Sequence, residues 1–103
     1  MKLKLRWMPE SLSRGVDSNV GARLIQMTSA AVISHNIYCE ERYTSPDGNR
    51  IAILRSPWGS PPEELWLYDM STRQVALVDS TIRGYPTSNL YRDTLYYERR
   101  GEG

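Results

Sequence analysis

Two side chains in the first half of this chain have the chemistry to bind a charged ligand. His35 is the only histidine of the 103 residues, and Arg42 lies a short distance further along the same segment. An imidazole changes its protonation state near neutral pH, and a guanidinium binds carboxylates through paired hydrogen bonds. We therefore expect His35 and Arg42 to be the substrate-binding residues, and an acidic ligand would suit the arginine. The simpler alternatives are a hydrogen-bonding role for His35 and a solvated or salt-bridged Arg42.

The carboxylate pairs of the sequence do not predict a catalytic acid and base. Glu40 and Glu41 are neighbours, as are Glu63 and Glu64, and adjacent residues of a strand point to opposite faces. Glycoside hydrolysis needs two carboxylates that flank one bond, so neither pair is predicted to act in this way. The sequence also carries no nucleophile motif of the serine-hydrolase type, and we predict no catalytic residue.

Metal ligands are not predicted either. One histidine and one cysteine, Cys39, do not make a metal-ligating pattern, and a single cysteine cannot form an internal disulfide. We expect Cys39 to be a small packing residue beside a strand.

Charge and hydropathy narrow the classes of partner. The 13 basic and 12 acidic residues are interspersed and give a net charge of +1, which argues against a nucleic-acid-binding surface. No run approaches the roughly 18 apolar residues of a membrane-spanning helix, and the N-terminal segment lacks the apolar core of a secretory signal. We expect no nucleic-acid partner, no membrane partner and a cytoplasmic location.

Short apolar runs separated by turn residues predict an all-β fold. Ser45-Pro46-Asp47-Gly48 fits a type I turn, in which proline fixes φ at the second position and glycine occupies the fourth. Ile51–Leu54 and Leu65–Tyr68 are apolar at consecutive positions, which is typical of strands covered on both faces. Prolines at positions 57, 61 and 62 exclude a helix or a central strand between them. Val75–Val78 follows as an outer strand.

The spacing of these elements predicts a repeat. Asp47 and Asp93 belong to similar turn-and-strand patterns that lie 46 positions apart, close to the roughly 40–50 residues of a propeller blade. The predicted fold is all-β, a partial β-propeller of about one and a half four-stranded antiparallel blades. We expect one full blade near residues 36–79, with an inner strand at 36–43 that follows a crossover at 30–35.

Partial blades are expected on either side of this full blade. A strand near 22–28 precedes it, and a partial hairpin near 85–100 follows it. Residues 1–20 are predicted to be a leader, loop or disordered segment, although Lys2–Trp7 alternates as a strand with one wet face would. Residues 21–103 then form the partial propeller. Because a blade buries its faces against neighbouring blades, we expect the chain to associate with the remaining blades of a ring or with itself.

A known repeat has the same order of turn, apolar strand, loop and strand ending in aspartate. It is the WD40-like propeller repeat of TolB-type proteins, which the sequence resembles at Thr44-Ser45-Pro46-Asp47-Gly48-Asn49-Arg50-Ile51-Ala52 and at Glu64-Leu65-Trp66-Leu67-Tyr68-Asp69. The sequence lacks the Gly-His pair and the Trp-Asp ending of ordinary WD repeats, which favours the TolB type.

Positions nearer the N-terminus make the resemblance specific to one family of propellers. Gly21–Thr28, His35, Tyr38 and Asp47-Gly48 look like the start of oligogalacturonate lyases, seven-bladed propellers that degrade short pectin fragments. This resemblance implies β-elimination at an acidic oligosaccharide, helped by a divalent metal such as Mn²⁺. In that family a histidine and glutamine cluster from later blades holds the metal, so no metal ligand is carried over to this chain. We expect an N-terminal fragment of such a propeller, inactive alone and without a cofactor of its own.

Two other classes of protein remain open. A non-enzymatic TolB-like propeller would carry the same blade as a scaffold for protein contacts. The propeller of a peptidase related to prolyl oligopeptidase would also carry it, beside a separate catalytic domain. The three classes differ in what accompanies the blade: a histidine-rich later blade, further blades alone, or a Gly-x-Ser-x-Gly elbow.

Overall fold

The computed structural model describes residues 4–37, 44–59, 61–88 and 94–99. Within these ranges every helix or strand that forms is a β-strand, so the predicted all-β class is confirmed there. The strands are β1 (Trp7–Pro9), β2 (Leu12–Val16), β3 (Arg23–Gln26), β4 (Ile33–Asn36), β5 (Arg50–Ser56), β6 (Glu63–Asp69), β7 (Gln74–Ser88) and β8 (Leu95–Arg99). They form a six-stranded sheet and a separate two-stranded hairpin.

The larger sheet is built on four strands that follow one another along the chain. β4, β5, β6 and β7 pair antiparallel in sequence order, and β1 adds to the far side of β7. His35 lies opposite Leu54, and Ile53 lies opposite Trp66. Apolar runs joined by short turns predict this antiparallel order, because such neighbours need only a tight connection. The propeller architecture itself stays a prediction.

The 15-residue strand β7 is where the sheet curls. Its first part pairs with β1 and β6 on opposite edges, and its second part pairs with β8. Ile82 lies opposite both Glu63 of β6 and Arg99 of β8, so β8 follows β1 along one edge of β7. The register of β7 is irregular against both β6 and β8. An extra residue on one side of a strand pair bends the strand and increases its twist.

Both faces of the sheet are apolar, as the consecutive apolar positions of the two central strands predict. One buried cluster, on what we call the Leu54 face, consists of Ile37, Ala52, Leu54, Leu65 and Ile82. The opposite side, the Trp66 face, buries Ile53, Trp66, Tyr68 and Val75. Successive residues of a strand alternate between these faces. Each large apolar side chain that is fully buried contributes about 1.5–3 kcal/mol, so the two clusters provide most of the cohesion of the sheet.

Two short stretches at the base of the β2–β3 hairpin cover the Trp66 face. These stretches are residues 10–11 and 27–29, and together we call them the cover segment. Ser11 accepts a hydrogen bond from the Tyr68 hydroxyl at 3.1 Å, and Met27 packs against the apolar cluster. One face of the sheet is therefore closed by its own chain.

Arg55 is the polar centre of this covered face. Its side chain is 3% exposed, and its guanidinium carbon lies 4.3 Å from the ring centroid of Trp66. The guanidinium forms an ion pair with Glu10 of the cover segment, and the same carboxylate accepts the Ser29 N–H at 3.1 Å. Among the described residues, no hydrogen-bond partner reaches the buried Arg55 Nε. Because a buried charge is costly unless it is paired, Glu10 is the group that makes this position tolerable.

The N-terminal half of the chain differs from the sequence prediction in two places. β1 and β2 lie within residues 1–20, where a leader, loop or disordered segment is predicted. Every residue of β2 is exposed, so no apolar alternation marks this strand, and only its pairing with β3 defines it. β4 lies where a crossover is predicted at 30–35, and residues 38–43 of the predicted inner strand lie outside the described ranges.

Strands are present near residues 22–28 and 85–100, where the sequence predicts them. β3 lies within the strand predicted near 22–28, and β8 pairs with the end of β7 within the hairpin predicted near 85–100. β7 is much longer than the predicted Val75–Val78, because it continues through the bend to Ser88.

We expect Glu10→Gln to destabilise the fold by about 3 kcal/mol, because removing one partner of a buried ion pair leaves the other charge uncompensated. Urea unfolding followed by circular dichroism measures the change. Glu98 is exposed on β8, and as the matched control Glu98→Gln should change the free energy of unfolding by less than about 0.5 kcal/mol. The double change Glu10→Leu with Arg55→Met should recover much of the loss. If Glu10→Gln and Glu98→Gln lowered the free energy of unfolding equally, this role of Glu10 would be contradicted.

Candidate functional site

Three neighbouring strands bring polar side chains together at one end of the Leu54 face. Nε2 of His35 in β4 lies 3.0 Å from Oε2 of Glu63, the first residue of β6. The hydroxyl of Ser56, the last residue of β5, donates a hydrogen bond to the same carboxylate oxygen. We call these three residues the His35 group.

The register of the strands explains why these side chains meet. His35 lies opposite Leu54, and Leu54 lies opposite Leu65. Residues two positions apart share a face, so Ser56 and Glu63 lie on the same face one row beyond. The side chain of His35 is 38% exposed and that of Glu63 is 18% exposed. The group therefore lies where the buried cluster meets solvent.

The order of these contacts limits the chemistry of the His35 group. The serine hydroxyl donates to the carboxylate, and the carboxylate faces the imidazole. A nucleophilic serine needs the imidazole as its own hydrogen-bond partner. Here the carboxylate holds the imidazole in one orientation and pairs more strongly with it when the ring is protonated. The arrangement suits binding of a polar ligand rather than nucleophilic catalysis.

A divalent metal such as Mn²⁺ does not fit the His35 group. The group offers one imidazole nitrogen and one carboxylate, and the carboxylate oxygen Oε2 already makes two contacts. Manganese prefers several carboxylate, carbonyl or water oxygens. In the described ranges, no set of three or more His, Cys, Asp or Glu side chains is placed to hold a metal ion.

A cleft of about 280 Å³ lies between β4, β5 and the cover segment. Its lining residues are Met27, Thr28, Ser34, His35, Ile51, Ala52 and Ile53. Most of this lining is apolar, and the hydroxyls of Thr28 and Ser34 provide polar groups beside it. Small-molecule sites commonly combine an apolar wall with a few polar groups. His35 belongs to both, but its imidazole lies on the Leu54 face, whereas alternation places the Ser34, Ile51 and Ile53 side chains of the cleft on the Trp66 face.

The turn predicted at residues 45–48 is confirmed. The Gly48 N–H donates to the Ser45 carbonyl at 2.8 Å, and Gly48 has a φ of +74°. Asp47 accepts hydrogen bonds from the Ser45 hydroxyl at 2.6 Å and from the Asn49 N–H at 3.0 Å. These bonds lower the pKa of the Asp47 carboxyl below its ordinary 3.8. Asp47 is a turn residue, as the sequence predicts.

Asp69 ends β6 and caps the turn that follows. Its carboxylate accepts the Thr72 N–H at 3.0 Å and the Asn49 Nδ2 at 3.3 Å, and Arg50 Nε lies 3.6 Å from it. The hydrogen bond from Thr72 is the main reason why the pKa of Asp69 lies below 3.8, although burial acts in the opposite direction. This network ties the turn at residues 45–48 to the turn between β6 and β7.

A further polar group joins β7 to β8. Asp79 lies 2.9 Å from Arg99 Nε and accepts the N–H and the hydroxyl of Thr81 at 2.8 and 2.6 Å. Burial raises the pKa of the Asp79 carboxyl, but the bonds from Thr81 and the charge of Arg99 outweigh it, and the net shift is downward. Burial and the charge of Asp79 raise the pKa of Tyr97 above its ordinary 10.0. These side chains stabilise the strand pair at the bend.

Of the two predicted binding residues, His35 lies in the group described above, and its role in binding stays a prediction. Arg42 lies outside the described ranges, so its proximity to His35 stays a prediction. Sequence analysis did not identify Ser56 and Glu63 as partners of His35. Identifying these two partners requires the register of β4 against β5, and that register depends on where β4 begins.

The two adjacent glutamates point apart, as alternation along a strand predicts. Glu63 contacts His35 on the Leu54 face. Glu64 accepts a hydrogen bond from Trp66 Nε1 at 3.0 Å on the opposite face. The pair therefore does not act as a catalytic dyad.

The fold and the site define an all-β protein with an antiparallel meander and a partly exposed histidine–glutamate pair at its end. Comparison of the chain with protein families, with curated proteins and with solved structures finds no match. In the part of the chain that the structure describes, no helix is long and apolar enough to span a membrane.

Asp69→Asn should lower the free energy of unfolding at neutral pH by about 1–2 kcal/mol, because hydrogen bonds to a charged group stabilise more than neutral ones. The pKa of Asp69 is lower in the folded chain, so its contribution is complete above its ordinary pKa of 3.8 and is lost as the pH falls through the lower folded value. Urea unfolding of both proteins from about pH 7 to about pH 3 tests this relation. The difference between them should shrink in acid. A difference that stays constant with pH would contradict the assignment.

Proposed function

We propose that this chain supplies one blade of a β-propeller that resembles oligogalacturonate lyases, and that the chain alone has no lyase activity. The observation that best supports this proposal is the meander of β4, β5, β6 and β7, which is apolar on both faces. A sheet with two apolar faces has to be covered on both sides. In a propeller the neighbouring blades provide this cover, whereas in this chain the cover segment lies over the Trp66 face.

The turn network gives the proposal a second line of support. The resemblance to TolB-type repeats includes the Ser45–Gly48 turn and the aspartate that ends β6. In the fold these two features are joined, because Asn49 donates to Asp69 at 3.3 Å and accepts the Ser71 N–H at 3.1 Å. The residues that carry the resemblance therefore have a common structural purpose at one end of the sheet.

In this proposal His35 contacts an acidic oligosaccharide at the end of the Leu54 face. Its imidazole is partly exposed and is oriented by Glu63. Because the Glu63 carboxylate compensates the charge of a protonated imidazole, His35 provides a directed hydrogen bond rather than net positive charge. The attraction for the carboxylates of the sugar then depends on Arg42, whose guanidinium suits them.

The absence of lyase activity in the chain alone follows from what β-elimination requires. The reaction needs a base near the α-carbon of the acidic sugar and a cation that stabilises the developing enolate. The His35 group provides a candidate base, but Mn²⁺ does not fit its donor set. In the family that the sequence resembles, later blades hold the metal.

A non-enzymatic scaffold is the second candidate function. Exposed apolar side chains at the end of the sheet that carries the His35 group favour it, since Ile33 is 62% exposed and Trp58 is 77% exposed. Exposed apolar patches are typical of protein contacts. The propeller of a prolyl-oligopeptidase-like peptidase is the remaining alternative. The reading frame after the codon for Gly103 distinguishes the three, by a histidine-rich blade, further blades alone or a Gly-x-Ser-x-Gly elbow.

The purified chain should produce no unsaturated product from oligogalacturonates, with or without Mn²⁺. Ultraviolet absorbance at the wavelength of the unsaturated uronide measures the product. His35→Ala should leave this baseline unchanged. A metal-dependent rise in absorbance that disappears in His35→Ala would place a complete lyase site within this chain and overturn the proposal.

Weak binding of a short oligogalacturonate should depend on Arg42 and His35. We expect Arg42→Ala to weaken binding at least threefold and His35→Ala to weaken it by a smaller factor, because Glu63 compensates the imidazole charge. Nuclear magnetic resonance titration measures the affinity. Arg14 is exposed on β2, and Arg14→Ala is the control that removes the same charge elsewhere. Equal loss in the Arg14 and Arg42 variants would indicate non-specific attraction and would favour the scaffold.

A further inference from the structure

The β2–β3 hairpin extends away from the six-stranded sheet. Within the described ranges, no Cα atom of β2 or β3 lies within 8 Å of a strand of that sheet. All residues of β2 are exposed, and so are the first two of β3. The cover segment, at the base of the hairpin, holds it to the Trp66 face. The hairpin is therefore an arm with a fixed base.

The arm exposes apolar side chains. Leu12 lies opposite Gln26, so Leu12 and Leu24 share one face of the hairpin. They are 46% and 45% exposed, and Val20 in the connecting turn is 77% exposed. A two-stranded hairpin is marginally stable in water, whereas three or more strands with an apolar face form a stable sheet. A further strand paired with the arm would therefore stabilise it.

The two edges of the arm are not equally suited to pairing. β2 carries an extra residue between Ser13 and Val16, where Gly15 has a φ of +81°, and this irregularity interrupts its ladder. Arg14 lies at the centre of β2, so pairing of two β2 strands about their midpoint would oppose two arginines. The four residues of β3 pair with β2 without an extra residue of their own, and in the described ranges the outer edge of β3 has no strand partner.

We propose that two copies of this chain associate through β3. The β3 strands of the two copies pair antiparallel and join the two arms into a four-stranded sheet. A strand that pairs with its own copy about a two-fold axis must be self-complementary, and β3 meets this condition. With Leu24 opposite Leu24 of the partner subunit, Arg23 lies opposite Ile25 of the partner subunit. No like charges are opposed in this register, and opposed apolar side chains stabilise a strand pair.

This register gives the exposed Leu24 of each arm an apolar partner. Leu12 and Leu24 share a face, and the two-fold axis repeats that face on the other side of the new strand pair. The result is a four-stranded sheet with Leu24 of each copy at its centre and Leu12 of each copy on the same face. The second copy of the chain therefore covers the edge and extends the face that the single arm leaves open.

Sedimentation equilibrium of the full chain tests the proposal. The unmodified chain should sediment as a dimer, and Leu24→Lys should weaken the dimer at least tenfold because it opposes two ammonium groups at the axis. Val20→Lys adds the same charge in the exposed turn outside β3 and should leave the dimer intact. A monomeric unmodified chain, or equal weakening by both changes, would overturn the proposal. Circular dichroism checks that both variants retain the fold.

Disulfide trapping tests the register directly. Opposed residues of antiparallel strands have Cα atoms roughly 4.5–5.5 Å apart, a distance that a disulfide spans. In a Cys39→Ser background, Leu24→Cys should form a disulfide-linked dimer under mild oxidation, whereas Val20→Cys should not. Both variants are compared on a non-reducing gel. Failure of Leu24→Cys to cross-link, or equal cross-linking at both positions, would overturn the proposed pairing.

Discussion

The buried guanidinium of Arg55 is the constraint on which the arrangement of the N-terminal half depends. A positive charge at a position that is 3% exposed has to be neutralised within the protein, and Glu10 provides the carboxylate. Trp66 adds a ring face 4.3 Å from the guanidinium. Glu10 also accepts the Ser29 N–H with its carboxylate and the Ser29 hydroxyl with its backbone carbonyl. The residue that neutralises Arg55 therefore also joins residues 10–11 to residues 27–29 of the cover segment.

A second constraint comes from the apolar character of both faces. Central strands such as β5 and β6 cannot leave either face open, since the side chains of each face would then meet water. On the Trp66 face the cover segment provides closure through Met27 and Ser11. On the Leu54 face Ile37 and Leu95 contribute to the buried cluster. The polar residues of the His35 group lie where this second cluster ends, and this location gives the imidazole both a rigid support and access to solvent.

The sequence is most informative where burial and turn chemistry coincide. The turn at residues 45–48, the two-sided strands β5 and β6 and the capping role of Asp69 are all predictable, because each depends on residues close together in the chain. β2 is not predictable, since its residues are exposed on both faces and carry no alternation. The partners of His35 are also not predictable, because Glu63 lies 28 positions away and meets it only through the register of three strands.

β7 receives its partners from very different distances along the chain. β6 reaches it through one tight turn, whereas Trp7 of β1 lies opposite Ala76. The cover segment is also distant in sequence from the sheet that it covers, since Ser11 and Tyr68 of β6 are 57 positions apart. Closing a long loop costs more entropy than closing a turn, and contacts between distant residues form more slowly than local ones. The hairpins of β5, β6 and β7 are therefore the natural starting point of folding, and β1 and the cover segment join a sheet that already exists. By the same reasoning this N-terminal part is the first to detach in a partial opening, which would expose Arg55 to water while the meander remains intact.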